Sequence, residues 1–390
     1  MLRIAVVTAH FPSSAKSTIG RPAYETLRLL SERCAVRVFY PHAVSPSFLK
    51  SRSHSHEALD ATYSLPGVEA GYYDFPVVPL VSRPFNGWMA ARVLLPHVRA
   101  FLPDLIFSYV LYPDGYAALK IGRALAVPVV AMGVGSDVHN IRDRFTAMHT
   151  RTLLREADFL LAISNDLRKR MVAMGAPAEK TRAVLSGCDL SVFQVRDRLA
   201  ARQRLGIDPS AEAVVYIGRL DVRKGLRELV EATATLRLER TNLHVYLVGD
   251  GPDRPSIESA IQAHNASGYI HLLPSCTFDD VAVWMAAADL VTLPSYMEGC
   301  PNVVLEALAS GRPVVATNVG GIPEILDDTC GGLVPPRDSG ALALALASVL
   351  DKTWDAKAIS AHGSRSWEAV SAEVLEIFQS LDSKHSEARA

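Results

Sequence analysis

The stretch that decides the fold is Pro294-Ser-Tyr-Met-Glu-Gly-Cys-Pro-Asn-Val-Val-Leu-Glu-Ala-Leu-Ala-Ser-Gly311. The apolar run at 290–293 just before it reads as a buried strand, and the run from Pro301 reads as a helix that Gly311 stops. A strand, a polar loop and a helix in this order are one unit of a parallel α/β sheet. The helix begins directly after the loop, so its first free N–H groups point back into it and offer an anion site. Glu298 lies in the loop and Glu306 on the helix eight residues later. A carboxylate accepts hydrogen bonds from two vicinal hydroxyls, so each suits a sugar diol. An anion site between two such acids describes a ribose, a diphosphate and a sugar in a row.

Working outward, the same alternation recurs along the chain. Strands are expected over 2–8, 36–40, 104–109, 127–132 and 158–163, then over 214–217, 243–248, 269–272, 290–293 and 313–316. Helices are expected over 21–33, 116–125 and 367–381, and after an N-cap at Ser164. Two alternating series predict two doubly wound domains with parallel sheets. The expected boundaries are 1–195 for an acceptor-side domain and 196–370 for a donor-binding domain, with a helix over about 371–390 packing back on the first. Between 41 and 84 the pattern weakens, and Ser51-Arg-Ser-His-Ser-His56 reads as an exposed loop. The tail 382–390 is expected to fray.

Ligands of doubly wound sheets sit beyond the carboxyl ends of the strands. The loop Gly218-Arg-Leu-Asp-Val-Arg-Lys-Gly225 occupies such a place and supplies cations, Arg219 and Lys224. Fixed cations aimed at a leaving diphosphate stabilise the transition state more than the ground state. Gly249-Asp-Gly-Pro252 follows the next strand. Each piece alone has a plainer explanation: a solvated surface cation, an exposed helix glutamate, an ordinary turn. Their ordered coincidence at strand ends argues for a site. No Asp/His cluster marks a catalytic metal at the diphosphate, so no metal and no cofactor is expected.

These segments resemble the retaining family 4 glycosyltransferases of the GT-B fold. The resemblance rests on Tyr216–Gly225, Leu247–Pro252, Ala288–Ser295, the E-x7-E element Glu298–Glu306, Gly311–Glu324 and Gly331–Pro335. It implies two Rossmann-like domains facing across a cleft, and transfer of a hexose from a nucleoside-diphosphate sugar to an acceptor hydroxyl with retained anomeric configuration. Arg219 and Lys224 would hold the diphosphate, Glu298 the donor sugar and Glu306 the ribose. Gly299, Cys300, Pro301, Asn302 and Val303 would offer the connecting backbone, with Gly218 and Gly249 close by. In the first half, Ala162–Leu167 and Gly187–Phe193 match family segments. The loop after the first strand carries Gly20 where relatives have a Gly-Gly pair. In Gly133-Val-Gly-Ser-Asp-Val-His139, Val134 stands where many relatives have His. Activity is expected regardless, since the leaving phosphate can take the acceptor proton. Gly135, Ser136, Asp137, His139 and Tyr112 are the acceptor-side candidates. The segment Tyr109–Gly115 resembles stretches in enzymes that build bacterial surface polysaccharides.

Composition bounds the rest. Forty Lys and Arg balance 41 Asp and Glu, which excludes a basic non-specific nucleic-acid binder. The five cysteines are Cys34, Cys188, Cys276, Cys300 and Cys330. They form no CxxC pair and read as buried hydrophobes in a reducing cytosol. No signal peptide or spanning run is visible, so a cytoplasmic protein is expected, with peripheral contact at the inner face of a membrane as an option. The segment 83–102 mixes Trp88, Met89 and Leu94 with Arg83, Arg92 and Arg99. It suits a membrane carrying a lipid-linked acceptor, or a core helix with snorkelling arginines, interrupted by Pro96. Two other functions stay open: a non-catalytic sugar-nucleotide binder, and a dinucleotide oxidoreductase, which lacks G-x-G-x-x-G after the first strand.

Overall fold

The computed structural model describes residues 1–14, 20–45, 60, 63–78, 81–141 and 143–389. The expected loop Ser51–His56 lies outside them. The chain divides into two compact units: unit 1 is 1–186 with 367–390, and unit 2 is 187–366.

Unit 1 holds a seven-stranded sheet of β1 (Arg3–Val7), β2 (Ala35–Val44), β3 (Glu69–Pro76), β4 (Leu105–Ser108), β5 (Val129–Gly133), β6 (Phe159–Ala162) and β7 (Thr181–Ala183), in the order β3-β2-β1-β4-β5-β6-β7. Unit 2 holds β8 (Glu212–Ile217), β9 (Leu243–Val248), β10 (Ile270–Leu273), β11 (Leu290–Leu293), β12 (Val314–Thr317) and β13 (Gly331–Val334), in the order β10-β9-β8-β11-β12-β13. Every pair is parallel. The central strands β1, β4, β5, β8, β11 and β12 are buried on both faces, because helices cover both sides of a parallel sheet. In each unit the strand order reverses once, between β1 and β4 and between β8 and β11. These are the switch points where such sheets bind ligands.

The unit boundaries fall at 186/187 and 366/367, not at 195/196 and 370/371. The Cys188 N–H donates to the Arg365 carbonyl at 2.8 Å, and Cys188 bridges Ser366, which ties the segment after Ser186 into unit 2. The helix Trp367–Arg389 belongs to unit 1 and runs through the tail expected to fray. Its Trp367, Val370, Val374 and Phe378 are buried in one cluster with Ile4, Leu27 and Phe107. Phe378 meets Phe107 edge-on at 5.1 Å. Burying such a ring contributes about 2–3 kcal/mol, and the aromatic geometry about 1 more.

Three strands escape the sequence pattern: the polar edge strand β3, the short β7, and β13, which opens on Gly331 and Gly332. Pro96 does not interrupt the helix Asn86–Phe101. Pro96 and Arg92, one turn earlier, are both exposed, so the missing hydrogen bond lies where water can replace it.

Candidate functional site

The switch point of unit 2 brings the two loops singled out by sequence against each other. The loop after β8 carries Arg219 and Lys224, and the loop after β11 carries Glu298. Lys224 Nζ and Glu298 Oε1 pair at 2.7 Å, both largely shielded from water. The loops are joined through their backbones as well, since the Tyr296 N–H donates to the Arg223 carbonyl at 2.7 Å. Gly225 has φ +64, and a Cβ there would stand 2.0 Å from the Pro294 carbonyl oxygen. From the other side, a Cβ on Gly320 would stand 1.9 Å from the Glu298 carbonyl oxygen, and the Gly321 N–H donates to Gly299 O at 2.9 Å. The Glu298 loop is thus clamped between the connections that follow β8 and β12.

Arg219 is exposed and makes no ion pair among the described residues; its carbonyl accepts from the buried Tyr216 hydroxyl at 2.8 Å. Arg223 is committed elsewhere. It grips Asp221 through Nε at 2.8 Å and a terminal nitrogen at 2.9 Å, and this holds the Asp221 carboxyl down at about 2. Gly218 and Gly249 meet closely, a Cβ on Gly249 standing 1.9 Å from the Gly218 carbonyl oxygen.

The helix after the second loop is Asn302–Ala309. Pro301 is its N-cap and not its first residue, because its ψ of 117° is extended. No side chain caps this terminus. Cys300 is buried, while Asn302 and Val303 are half-buried. Glu306 is half-buried on this helix, and burial pushes its carboxyl up to about 7. The Glu306 charge adds to the burial that raises the Cys188 thiol, which makes the two side chains neighbours.

Unit 1 has its own cluster at the β1/β4 switch point. Gly20, at φ +83, caps the helix Arg21–Ser31 against the backbone of Phe11. Asp137 is consumed by backbone: Oδ1 accepts from Val134 N at 3.0 Å and Gly135 N at 2.9 Å, and Oδ2 from Leu111 N at 2.9 Å. It shapes the Val134–Gly135 loop, while Ser136 is exposed and His139 half-buried at the end of the short turn Ser136–His139. Tyr112 donates its hydroxyl to the Arg83 carbonyl and stacks on His149 at 5.6 Å; burial pushes it up to about 12. Val134 packs against the apolar cluster that contains Phe11, Tyr109 and Met132.

Sequence reading missed Asp114 and His10. Buried Asp114 accepts from Ala9 N at 2.6 Å and from the Thr8 hydroxyl at 3.4 Å, joining the β1 loop to the segment after β4. Burial pushes its carboxyl up to about 7, and Asp137 adds to the rise. His10 is lowered by burial, and its N–H donates to Thr8 Oγ1. Asp114 lies in the segment Tyr109–Gly115 singled out above, but only the strand order could have pointed to its role, and His10 stands in no motif.

Two doubly wound parallel units, each with polar loops gathered at its own switch point, define the GT-B class of glycosyltransferase folds. Sucrose-phosphate synthase from Thermosynechococcus elongatus shares this fold with a TM-score of 0.80 at 22% identity, over 98% of this chain and all of that one. HepE of Anabaena, solved in complex with UDP, shares it with a TM-score of 0.76 at 17% identity, over 97% of this chain and 100% of that one. The family model described as Glycosyltransferase Family 4 matches residues 19–192, and that of glycosyl transferases group 1 matches 211–352. The chain belongs to this family of glycosyltransferases. It is 28% identical over 358 residues to TuaC of Bacillus subtilis, named as a teichuronic acid biosynthesis glycosyltransferase, across 88% of each chain.

Proposed function

We propose that the protein transfers a hexose from a nucleoside-diphosphate sugar to an acceptor hydroxyl of a growing glycan, with retention and without a divalent metal. The observation that carries this reading is the Lys224–Glu298 pair at 2.7 Å, set in two interlocked loops at the unit 2 switch point. An ammonium has three protons, so Lys224 can keep Glu298 and still meet a phosphate oxygen. Exposed Arg219 supplies the second cation. Glu298 meets the hexose hydroxyls. The free N–H groups at the start of Asn302–Ala309 face the diphosphate, and Glu306 accepts from the ribose diol. The bond from the anomeric carbon to the phosphate oxygen breaks, and the bond to the acceptor oxygen forms on the same face. The acceptor proton passes to the departing phosphate, so no protein base is needed and Val134 is tolerated. Charge growing on the leaving diphosphate is met by Arg219 and Lys224, already in place.

HepE holds UDP, which makes UDP-sugars the first donors to try, and the likeness to TuaC favours a polysaccharide acceptor. The test is a product assay with labelled UDP-hexoses in EDTA, with the anomeric configuration read by NMR. Retained product at undiminished rate is expected. An inverted product, or activity restored only by magnesium or manganese, defeats the reading. Donor binding without turnover over a broad acceptor panel would favour a non-catalytic binder.

A surface of unit 1 favours an acceptor presented at a membrane. Val81, Phe85 and Trp88 are 71%, 61% and 51% exposed around the start of the helix Asn86–Phe101. The Arg83–Asp143 ion pair, 3.2 Å, ties this end to the helix Arg144–Glu156, whose Phe145 and Met148 are also exposed. Arg92 lies over Trp88, and Arg144 over Phe145. Apolar tips among arginines suit an anionic lipid surface.

A further inference from the structure

At the other end of the unit 2 sheet, the turn that enters β13 meets the end of the helix Ala356–His362. Asp327, Cys330 and His362 each offer one ligand atom there, and these atoms lie within 4.8 Å of one another. β13 begins at Gly331, so the group sits at the amino ends of parallel strands, whereas the candidate donor site lies at their carboxyl ends. Cys330 is fully buried, and Asp327 and His362 are exposed, which leaves one side open to solvent.

The spacing is close to what a metal requires. Cys330 Sγ stands 3.7 Å from Asp327 Oδ1. Two ligands of a tetrahedral zinc ion, with bonds of about 2.0–2.3 Å, are about 3.5 Å apart. His362, the last residue of its helix, brings its ring nitrogen within 4.8 Å of both. The carboxylate is already oriented by outer donors: the Thr329 N–H at 2.9 Å and the Thr329 hydroxyl at 2.5 Å both donate to Asp327 Oδ1. A thiolate, an imidazole and one carboxylate are the ligands of a borderline-soft ion, and they reject magnesium and calcium, which take oxygen shells.

We propose that Asp327, Cys330 and His362 form a zinc-class metal site, with water in the fourth position. The ion clips the turn before β13 to the helix Ala356–His362. Its role is to brace unit 2, and it is independent of the donor chemistry.

The experiment uses the full, untagged, metal-stripped chain. Cobalt(II) titration should give a thiolate-to-cobalt absorption band that saturates near one ion per chain and is displaced by zinc. Zinc at about a hundredfold over its dissociation constant should raise Tm by about 5 °C or more. Cys330→Ser and His362→Ala should each abolish the band, while Cys276→Ser, which removes an exposed thiol elsewhere, should keep it. His362 is exposed, so its variant folds even if Cys330→Ser does not. No thiolate band in the wild-type chain, or an undiminished band in His362→Ala, overturns the proposal. Transferase activity takes no part in this readout, so the two assignments fail separately.

Discussion

Lys224 and Glu298 neutralise each other across two loops, and Arg219 stands outside that pair. If the diphosphate lies between these cations, Lys224→Ala and Arg219→Ala should each lower kcat by about 100-fold, the scale for one transition-state electrostatic contact. Lys224→Ala also leaves Glu298 without its partner, so its loss should be the larger. Near-normal turnover in both variants places the diphosphate elsewhere. Glu306 adds a pH signature. Its carboxyl is held at about 7 by burial, and it must be ionised to accept two ribose hydroxyls. Nucleoside-diphosphate affinity should therefore fall about tenfold per pH unit below 7, because a proton must leave before the diol binds. Glu306→Gln should bind more weakly at pH 8 and lose this added slope, as calorimetry from pH 5.5 to 8 would record. A slope identical in the two proteins would show that the nucleotide phosphate alone titrates.

At the level of elements, Gly320 decides whether the Glu298 loop can exist in its observed form. Its φ of +56 and the 1.9 Å approach to Glu298 O leave no room for a methyl group. Gly320→Ala should cost about 2 kcal/mol or more and displace Glu298, lowering both Tm and turnover. Unchanged kinetics would show that the clamp is not needed. Asp114 makes the corresponding statement for unit 1. Its folded carboxyl titrates at about 7, against an ordinary value of 3.8. The folded state therefore keeps a proton that the unfolded chain has lost. The stability this gives is full below pH 4 and disappears as pH rises to 7. Denaturant melts of wild type and Asp114→Asn should diverge steadily over that window, with the variant gaining relative stability at the upper end. Parallel profiles would refute the assignment.

Across the molecule, what was legible in the sequence is what hydrophobic runs and turn chemistry write locally. The bounds of β9 and β11 agree with the runs at 243–248 and 290–293, and Ser164 caps its helix by accepting from Leu167 N at 3.2 Å. Gly311 closes the helix Asn302–Ala309 at φ +71. What escaped depends on distant neighbours. The run Glu69–Pro76 is a strand because β2 lies beside it, not because of its own half-polar pattern. Asp114 matters because β1 and β4 are adjacent, although 97 residues lie between Val7 and Leu105. The exposed face built from Phe85, Trp88, Phe145 and Met148 likewise joins two helices far apart in sequence. It should bring the protein down with phosphatidylglycerol vesicles in low salt, and Phe85→Ser with Trp88→Ser should reduce this about tenfold. Equal sedimentation with neutral vesicles would rule out the charge-assisted contact.

The helix Trp367–Arg389 completes a core whose other parts all precede residue 187. On the ribosome, every strand of unit 1 has left the exit tunnel long before Phe378 has been added to the chain. The apolar surface around Phe107 therefore waits uncovered while the whole of unit 2 is translated. Chaperones have their longest window there, and a premature stop codon after residue 366 would leave that window permanently open.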